Sequence, residues 1–159
     1  MSSKEHKEKI WNYIKGIKTC MLVTNDETLH GRPMQLVQDD YDNKIWFFTK
    51  KSSEKIDEIQ DQHKVCLTFS DNDDGVYVSL TGYAHITQDK NLIDKFWNSV
   101  VAAWFPEGKD SDEVALIEVK IEKGEHWDAK NNPISFMYEI AKANVKDQEP
   151  EMGDHKKFG

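Results

Sequence analysis

Short strand-like segments separated by acidic turns constrain the fold of this chain more than any other feature. The turns at 25–27, 39–43 and 71–75 each lie between two apolar runs. Turns this short favour antiparallel neighbours, because a parallel connection needs a crossover of a dozen or more residues. The apolar and alternating runs predict strands at 18–25, 29–38, 44–50, 64–70, 76–87 and 114–122, with one more short strand at 125–128.

Helical periodicity lies between and around these strands. Apolar residues recur at spacings of three and four over 4–16, over 88–104 and again after Pro133, and Ser52 or Ser53 is suited to cap a short helix. Gly82 predicts a bulge within the strand at 76–87. The pattern predicts an α+β fold, a barrel of about six antiparallel strands with peripheral helices. We place one domain at residues 1–145 and expect the polar tail, 146–159, to be mobile.

The charge of the chain excludes several classes of partner. Its net charge is −8 and its isoelectric point is about 5.2, which disfavours binding to nucleic acid or to an anionic membrane surface. No apolar run approaches the roughly 20 residues that a membrane span requires. The N-terminus is polar and mixed in charge, unlike a secretory signal. We therefore expect a cytoplasmic protein.

The two cysteines, Cys20 and Cys66, each lie inside an apolar strand-like run. We favour two buried free thiols, and a disulfide or a redox pair is the alternative. The sequence has no paired cysteine spacing that indicates zinc, so we predict no metal site.

Arg32 is the only arginine of the chain and stands at the start of the second predicted strand. The third predicted strand runs into a segment rich in hydroxyl and ammonium groups, which ends with Ser53 and Lys55. An arginine binds phosphate through two parallel hydrogen bonds, and a helix start adds free N–H groups. Because the turn at 39–43 predicts that these two strands are neighbours, the pattern favours a site for one anionic small molecule. The alternative is a strand end, a helix cap and solvated lysines without a ligand.

Several segments in order resemble the flavin-binding split barrels related to pyridoxamine 5′-phosphate oxidase, and most closely the general stress protein 26 group. The phosphate-site segments are Arg32-Pro33-Met34, Trp46-Phe47-Phe48-Thr49 and Ser53-x-Lys55. Three further segments are similar to family motifs: 77–84, 103–108 and 125–128. The resemblance extends over about residues 5–145.

The resemblance implies a six-stranded split β-barrel that forms a homodimer, with FMN in each of two clefts between the subunits. It implies that the FMN phosphate is held by Arg32, Thr49, Ser53 and Lys55. The backbone of two segments would lie along the isoalloxazine ring, Pro33-Met34 and Phe47-Phe48. Trp104 and Trp127 would lie near the cleft wall, or else pack in the core or the interface. FAD is an alternative cofactor, because its adenylate half would protrude from the cleft.

The resemblance also bears on the reaction. Pyridoxamine phosphate oxidation in that family requires additional arginines and a histidine for the substrate phosphate, and a chain with Arg32 alone argues against it. The first hypothesis is a flavin-dependent oxidoreductase or flavin reductase, linked to stress, that acts on an unidentified small molecule. The flavin would carry the redox chemistry, so no catalytic residue is assigned.

Two alternatives stay open. One is a module that stores, senses or buffers FMN or FAD without turnover. The other is a different cofactor in the cleft, such as a deazaflavin or a haem. The candidate haem ligands are His63, His85, His126 and His155, and we favour surface or strand positions for each of them.

Overall fold

Runs of consecutive strands, with helices before and between them, make up the computed structural model, which describes residues 3–53, 56, 59, 63–128 and 154–158. The α+β fold predicted from the sequence is confirmed. The residues Ile56 and Ile59 are also helical. The elements are α1 (Ser3–Ile17), β1 (Thr19–Asp26), β2 (Thr28–Gln35), β3 (Lys44–Lys50), β4 (His63–Asp71), β5 (Val76–Thr87), α2 (Lys90–Phe96), α3 (Ser99–Trp104), β6 (Val114–Asp128) and β7 (Asp154–Phe158).

All strand pairs of the described sheet are antiparallel, in the order β2-β1-β4-β5-β6-β3, with β7 also paired to β6. The sheet does not close on itself, so the split barrel stays a prediction. The predicted ladder between the second and third strands is wrong. Instead, β3 pairs with β6 over its whole length, with Phe47 opposite Ile117. The partner of β3 is the first half of the long strand β6, residues 114–120. This strand continues through residue 128, where the sequence predicted two separate strands.

The segment after β2 nevertheless reaches β3 through a few hydrogen bonds. The backbone N–H of Val37 donates to the carbonyl of Trp46 at 3.2 Å. The buried amide of Gln38 accepts from Trp46 N at 2.8 Å and donates to Lys44 O at 2.6 Å. This junction joins the two segments at one end only, and beyond it β2 and β3 separate.

The predicted irregularity at Gly82 is confirmed by a register shift between Thr81 and Gly82 in the β5–β6 ladder. A Cβ atom at residue 82 would lie 2.2 Å from the carbonyl oxygen of Lys120. Only glycine allows the two strands to approach so closely.

The predicted helix at 88–104 is divided into α2 and α3. Trp97 ends α2 in an extended conformation, and Asn98 caps α3 by accepting a hydrogen bond from Val101 N at 2.9 Å. The asparagine satisfies an N–H that a continuous helix would bond internally, so a new helix starts there. The two helices pack on a second apolar cluster that contains Trp46 and Phe96.

Asp154–Phe158, within the tail that the sequence predicted to be mobile, form strand β7. Phe158 pairs with Gly124 in β6, and its ring packs against the main core. The absence of a Cβ at Gly124 leaves room for this ring, since an added Cβ would lie 2.8 Å from it. The helix predicted after Pro133 lies outside the described residues.

Both cysteines are free, as predicted. Cys20 is buried, and this burial, followed by the effect of Cys66, raises the pKa of its thiol to about 12. Cys66 is only half-buried, which differs from the prediction of two buried thiols.

Candidate functional site

A cleft of about 920 Å³ opens where β2 and β3 separate. Residues from the end of α1, from β2 and the segment after it, from the end of β3 and from α3 line it. The lining residues are Trp11, Lys15, Lys18, Thr19, Pro33, Met34, Gln35, Leu36, Val37, Gln38, Asp39, Phe48, Thr49, Lys50, Ser53, Asn98, Val100, Val101, Trp104 and Phe105. A cavity of this volume and mixed lining is of the size that holds small molecules and cofactors.

A pair of hydroxyl groups forms the polar corner of the cleft. Thr49 is buried at the end of β3, and its Oγ1 lies 3.2 Å from the Oγ of Ser53. The turn that brings them together is closed by Ser53 N, which donates to Lys50 O at 3.0 Å. Lys50 also lines the cleft. Lys55, the remaining predicted member of this corner, lies outside the described residues.

Arg32 is half-buried on β2 and does not line the cleft among its described residues. Its Nη2 donates to the Oγ1 of Thr24 on the neighbouring strand at 3.1 Å. The sequence placed Arg32 beside the third strand through a hairpin, but its cross-strand partner is Leu22 on β1. The structure therefore brings Thr49 and Ser53 together, while Arg32 contacts a different side chain.

The apolar wall of the cleft combines residues of β2 and β3. Pro33 and Met34 line one side and Phe48 lines the other. Phe48 is held by edge-on contacts to Trp97 and Phe105, with ring centroids 5.8 Å and 6.2 Å away. The side chain of the neighbouring residue Phe47 points into the core and is fully buried. A flat apolar ligand would therefore meet Phe48 and not the ring of Phe47.

The helices supply two tryptophans to the cleft. Trp11 of α1 stacks on Tyr41, with ring centroids 5.6 Å apart and an interplanar angle of 15°. Burial, and to a smaller degree Asp42, raises the pKa of Tyr41 to about 12, so its ring stays neutral at physiological pH. Trp104 of α3 is 70% exposed and lines the cleft, and its contact with a cofactor stays a prediction.

The cleft is locally cationic in an acidic chain. Its charged lining residues, within the part of the chain that the structure describes, are Lys15, Lys18, Lys50 and Asp39. Lys18 has a left-handed backbone, with φ of 66°, which costs a lysine about 1–2 kcal/mol. Its N–H donates to Ile14 O and its carbonyl accepts from Leu36 N, both at 2.9 Å. These bonds end α1 at the cleft. Because the lining has three lysines and one aspartate, an anionic ligand would be attracted to the cleft despite the net charge of −8 of the whole chain.

The remaining predicted residues lie elsewhere. Trp127 of β6 is not among the described lining residues, and its ring stacks on His155 at 4.7 Å. None of the four candidate haem ligands lines the cleft in the described ranges. In those ranges no group of three or more histidine, cysteine or acidic side chains could hold a metal ion.

Comparison with known proteins shows the family of this chain. A family model described as pyridoxamine 5′-phosphate oxidase like matches residues 5–151. The chain belongs to this family. Among its relatives, general stress protein 26 of Bacillus subtilis strain 168 is 28% identical over 126 residues, which cover 77% of this chain and 88% of the relative. The resemblance to the general stress protein 26 group is thus confirmed.

Solved structures agree with the pyridoxamine 5′-phosphate oxidase-like assignment. The general stress FMN/FAD binding protein of Xanthomonas citri is 31% identical, with a TM-score of 0.73 over 82% of this chain and 93% of that chain. A crystal structure from Jannaschia sp. CCS1 is 27% identical, with a TM-score of 0.78 over 98% of both chains. The fold is therefore shared by relatives over most of the chain.

Sequence reasoning missed the contribution of α1 to the cleft of this pyridoxamine 5′-phosphate oxidase-like chain. Trp11 and Lys15 are four residues apart, so they lie on one side of a helix, and both line the cleft. That spacing was a usable signal. The left-handed conformation of Lys18 has no such signal, because glycine or asparagine is the usual residue at this position.

No helix in the described ranges combines the length and the apolar character needed to cross a membrane.

Proposed function

We propose that this chain binds FMN in the cleft between β2 and β3 and acts as a flavin-dependent oxidoreductase on a small molecule. The observation that carries the proposal is the Thr49–Ser53 hydroxyl pair at one corner of a cationic cleft with an apolar wall. FMN has the matching parts, a dianionic phosphate on a chain that ends in a flat apolar ring. The likeness to an FMN/FAD binding protein that is 31% identical supports the proposal.

The polar corner suits a phosphate. The hydroxyls of Thr49 and Ser53 can each donate one hydrogen bond, and Lys50 adds a positive charge. The family resemblance adds Lys55 and Arg32 to the proposed phosphate contacts. Neither residue is among the described residues that line the cleft. The Thr24 hydroxyl that accepts from Arg32 would fix the direction of its guanidinium.

The apolar wall suits the isoalloxazine ring. Pro33 and Met34 present backbone and apolar atoms on one side, and Phe48 faces the cleft from the other. FMN, when bound, supplies the redox chemistry. The residues of the chain would orient the ring, exclude water from one of its faces and hold its phosphate. We propose no catalytic side chain.

The substrate is not pyridoxamine phosphate in this proposal. Arg32 is the only arginine of the chain, so no second arginine is present to hold a substrate phosphate bidentately. A store or sensor of FMN or FAD is the second candidate function. The exposed face of Trp104 at the cleft is compatible with either one.

We also propose that two copies of the chain form a homodimer with the flavin between them, in the cytoplasm. The support is the exposure of apolar side chains beside the cleft, with Trp104 and Val100 on α3 both exposed. Exposed aromatic residues of this kind are enriched at protein interfaces. Light scattering should give a mass twice the 18.5 kDa of the chain, whereas a monomer with bound flavin would contradict this part of the proposal.

The test of the proposed function begins with the visible spectrum of the purified protein and the mass of any ligand released by heat. FMN and FAD are then titrated, and the bound flavin is mixed with NADH or NADPH without oxygen. Binding followed by reduction supports an oxidoreductase. Binding with exchange but no reduction by any donor supports a store. Failure of both flavins to bind would overturn the proposal.

A further inference from the structure

Two histidines that are 120 residues apart in the sequence meet in the interior of the protein. The Nε2 of His6 lies 3.3 Å from the Nδ1 of His126, and the imidazole rings are nearly perpendicular. The two residues are 7% and 0% exposed. At this distance one ring nitrogen can donate to the lone pair of the other. Such a bond requires at least one neutral ring, because two fully protonated imidazoles have only donors to face each other.

The pair connects the first helix of the described chain to β6, the strand that also pairs with β7 at the other end of the chain. His6 lies in the first part of α1, and His126 lies in β6, opposite Lys156 of β7. The ring of Phe158 in β7 packs 5.6 Å from the ring of His6. The contact is therefore shared by α1, β6 and β7. On the other side of His126, its partner in β5 is the uncharged Val78.

Positive groups dominate the surroundings of the pair. One acid near the pair, Asp128, accepts a hydrogen bond of 2.6 Å from the hydroxyl of Tyr13, whose ring lies 5.3 Å from His126. The pKa of His6 is lowered first by burial and then by positive charges on α1, on β7 and at the amino terminus. Among the described elements, Lys156 and Lys9 act on His6, and the ring of Tyr13 lies beside His126. Asp128 is bonded to Tyr13, and Lys7 lies over the ring of Phe158.

We propose that the His6–His126 pair is a proton-controlled latch that holds α1 and β7 on β6 when neutral and opens when both rings are protonated. The opening would reach the cleft, because Trp11 and Lys15 of the same helix form part of its wall. The latch itself does not depend on flavin binding. It responds to protons alone, and its state is measured by how firmly α1 and β7 are held on β6.

The direction of the effect follows from linkage between protonation and folding. Histidine in the unfolded chain has a pKa of about 6.5, and the pKa of folded His6 is lower. Between these two values the unfolded chain binds more protons than the folded chain, so stability falls as the pH falls. The contribution of neutral His6 is complete above about pH 6.5 and is lost progressively as the pH falls toward the lower pKa of the folded protein.

Hydrogen exchange with peptide resolution on the full wild-type chain tests the latch directly. Rates at pH 7.5 and 5.5 are corrected for the intrinsic pH dependence of amide exchange. The latch predicts that protection in α1 and β7 falls by about tenfold at the lower pH, while β4 and β5 keep their protection. Unchanged protection in α1 and β7, or an equal loss in every strand, would overturn it.

Variants separate titration from packing. His6→Gln and His126→Asn place an amide group near the ring nitrogen and do not titrate, so the pH effect in α1 and β7 should shrink to less than about twofold. His85→Asn is the matched control, because His85 is an exposed histidine on β5, and it should respond like the wild type. A full pH effect in both latch variants would contradict the proposal. If neither variant folds, the wild-type exchange pattern still decides.

Discussion

The two ends of the β2–β3 region differ in a way that explains where a ligand can bind. At the closed end, Gln38 satisfies the backbone of Trp46 and Lys44, and a hydrogen bond joins Val37 to Trp46. At the open end, Pro33 and Thr49 lie on opposite sides of a cleft. The closed end stabilises the fold, because its polar groups are bonded to each other. The open end can bind a ligand, because its hydroxyl groups and lysines face a cavity.

The largest effect is expected at the closed end, from Gln38→Ala. This change removes the partners of Trp46 N and Lys44 O in a buried place, and each loss costs about 1–3 kcal/mol. We expect the free energy of unfolding in urea to fall by about 3–5 kcal/mol. Gln35→Ala, an exposed neighbour on β2, is the control and should change it by less than about 0.5 kcal/mol. Equal effects of the two changes would refute the role of this junction.

The next largest effect is expected on FMN affinity, from a change at Arg32, which the sequence placed beside the third strand and the structure places beside β1. If Arg32 contacts the FMN phosphate as proposed, Arg32→Ala weakens FMN binding by about 2–4 kcal/mol, the range for the loss of one partner of a buried charge pair. Arg32→Lys keeps the charge and should lose less. Quenching of flavin fluorescence gives the dissociation constants. An unchanged FMN constant in Arg32→Ala would leave Arg32 with the structural role of holding Thr24.

A smaller effect tests the polar corner of the cleft. Thr49→Val combined with Ser53→Ala removes both hydroxyls and should weaken FMN binding by about 1–3 kcal/mol. Riboflavin, which has no phosphate, should bind both proteins equally. Ser52→Ala is the matched control, because the Ser52 hydroxyl donates to Glu113 at 2.6 Å and does not line the cleft in the described residues. Equal losses for FMN and riboflavin would place the phosphate elsewhere.

The smallest expected effect is a change in riboflavin affinity with pH, which tests whether the histidine pair influences the cleft. Riboflavin is the ligand of choice, because the FMN phosphate itself titrates near pH 6. If release of α1 loosens the cleft wall, riboflavin should bind about twofold to fivefold more weakly at pH 5.5 than at pH 7.5, and His6→Gln should reduce this difference. If the riboflavin affinity changes with pH equally in the wild type and in His6→Gln, the histidine pair does not influence binding in the cleft.

Local sequence signals predicted much of the fold. The bounds of β3 and β5 and the irregularity at Gly82 follow from alternation and from the lack of a Cβ. The partner of β3 could not be predicted, because pairing with β6 is a contact across more than 60 residues and no local turn encodes it. The strand β7 was hidden for the same reason, since its half-buried Phe158 ring fills the space above Gly124, which is distant in the sequence.

The structure brings some of the predicted site residues into one cleft, and their roles in binding stay predictions. Pro33, Met34, Phe48, Thr49, Ser53 and Trp104 line one cleft, which the ordered motifs indicated. Arg32 was placed beside Thr49 through an assumed hairpin, and the observed β1–β2 ladder gives it a different neighbour. The ring of Phe47 belongs to the core and Trp127 to the face beside β7. Motif order thus grouped residues of one cleft better than it indicated their contacts.

A crystal structure of the protein grown with FMN is the most direct measurement of the central claim. The claim predicts the phosphate within hydrogen-bond distance of Thr49 Oγ1 and Ser53 Oγ, with the isoalloxazine ring along Pro33 and Met34. A cleft without flavin under saturating FMN, or a flavin bound outside the separation of β2 and β3, would contradict it.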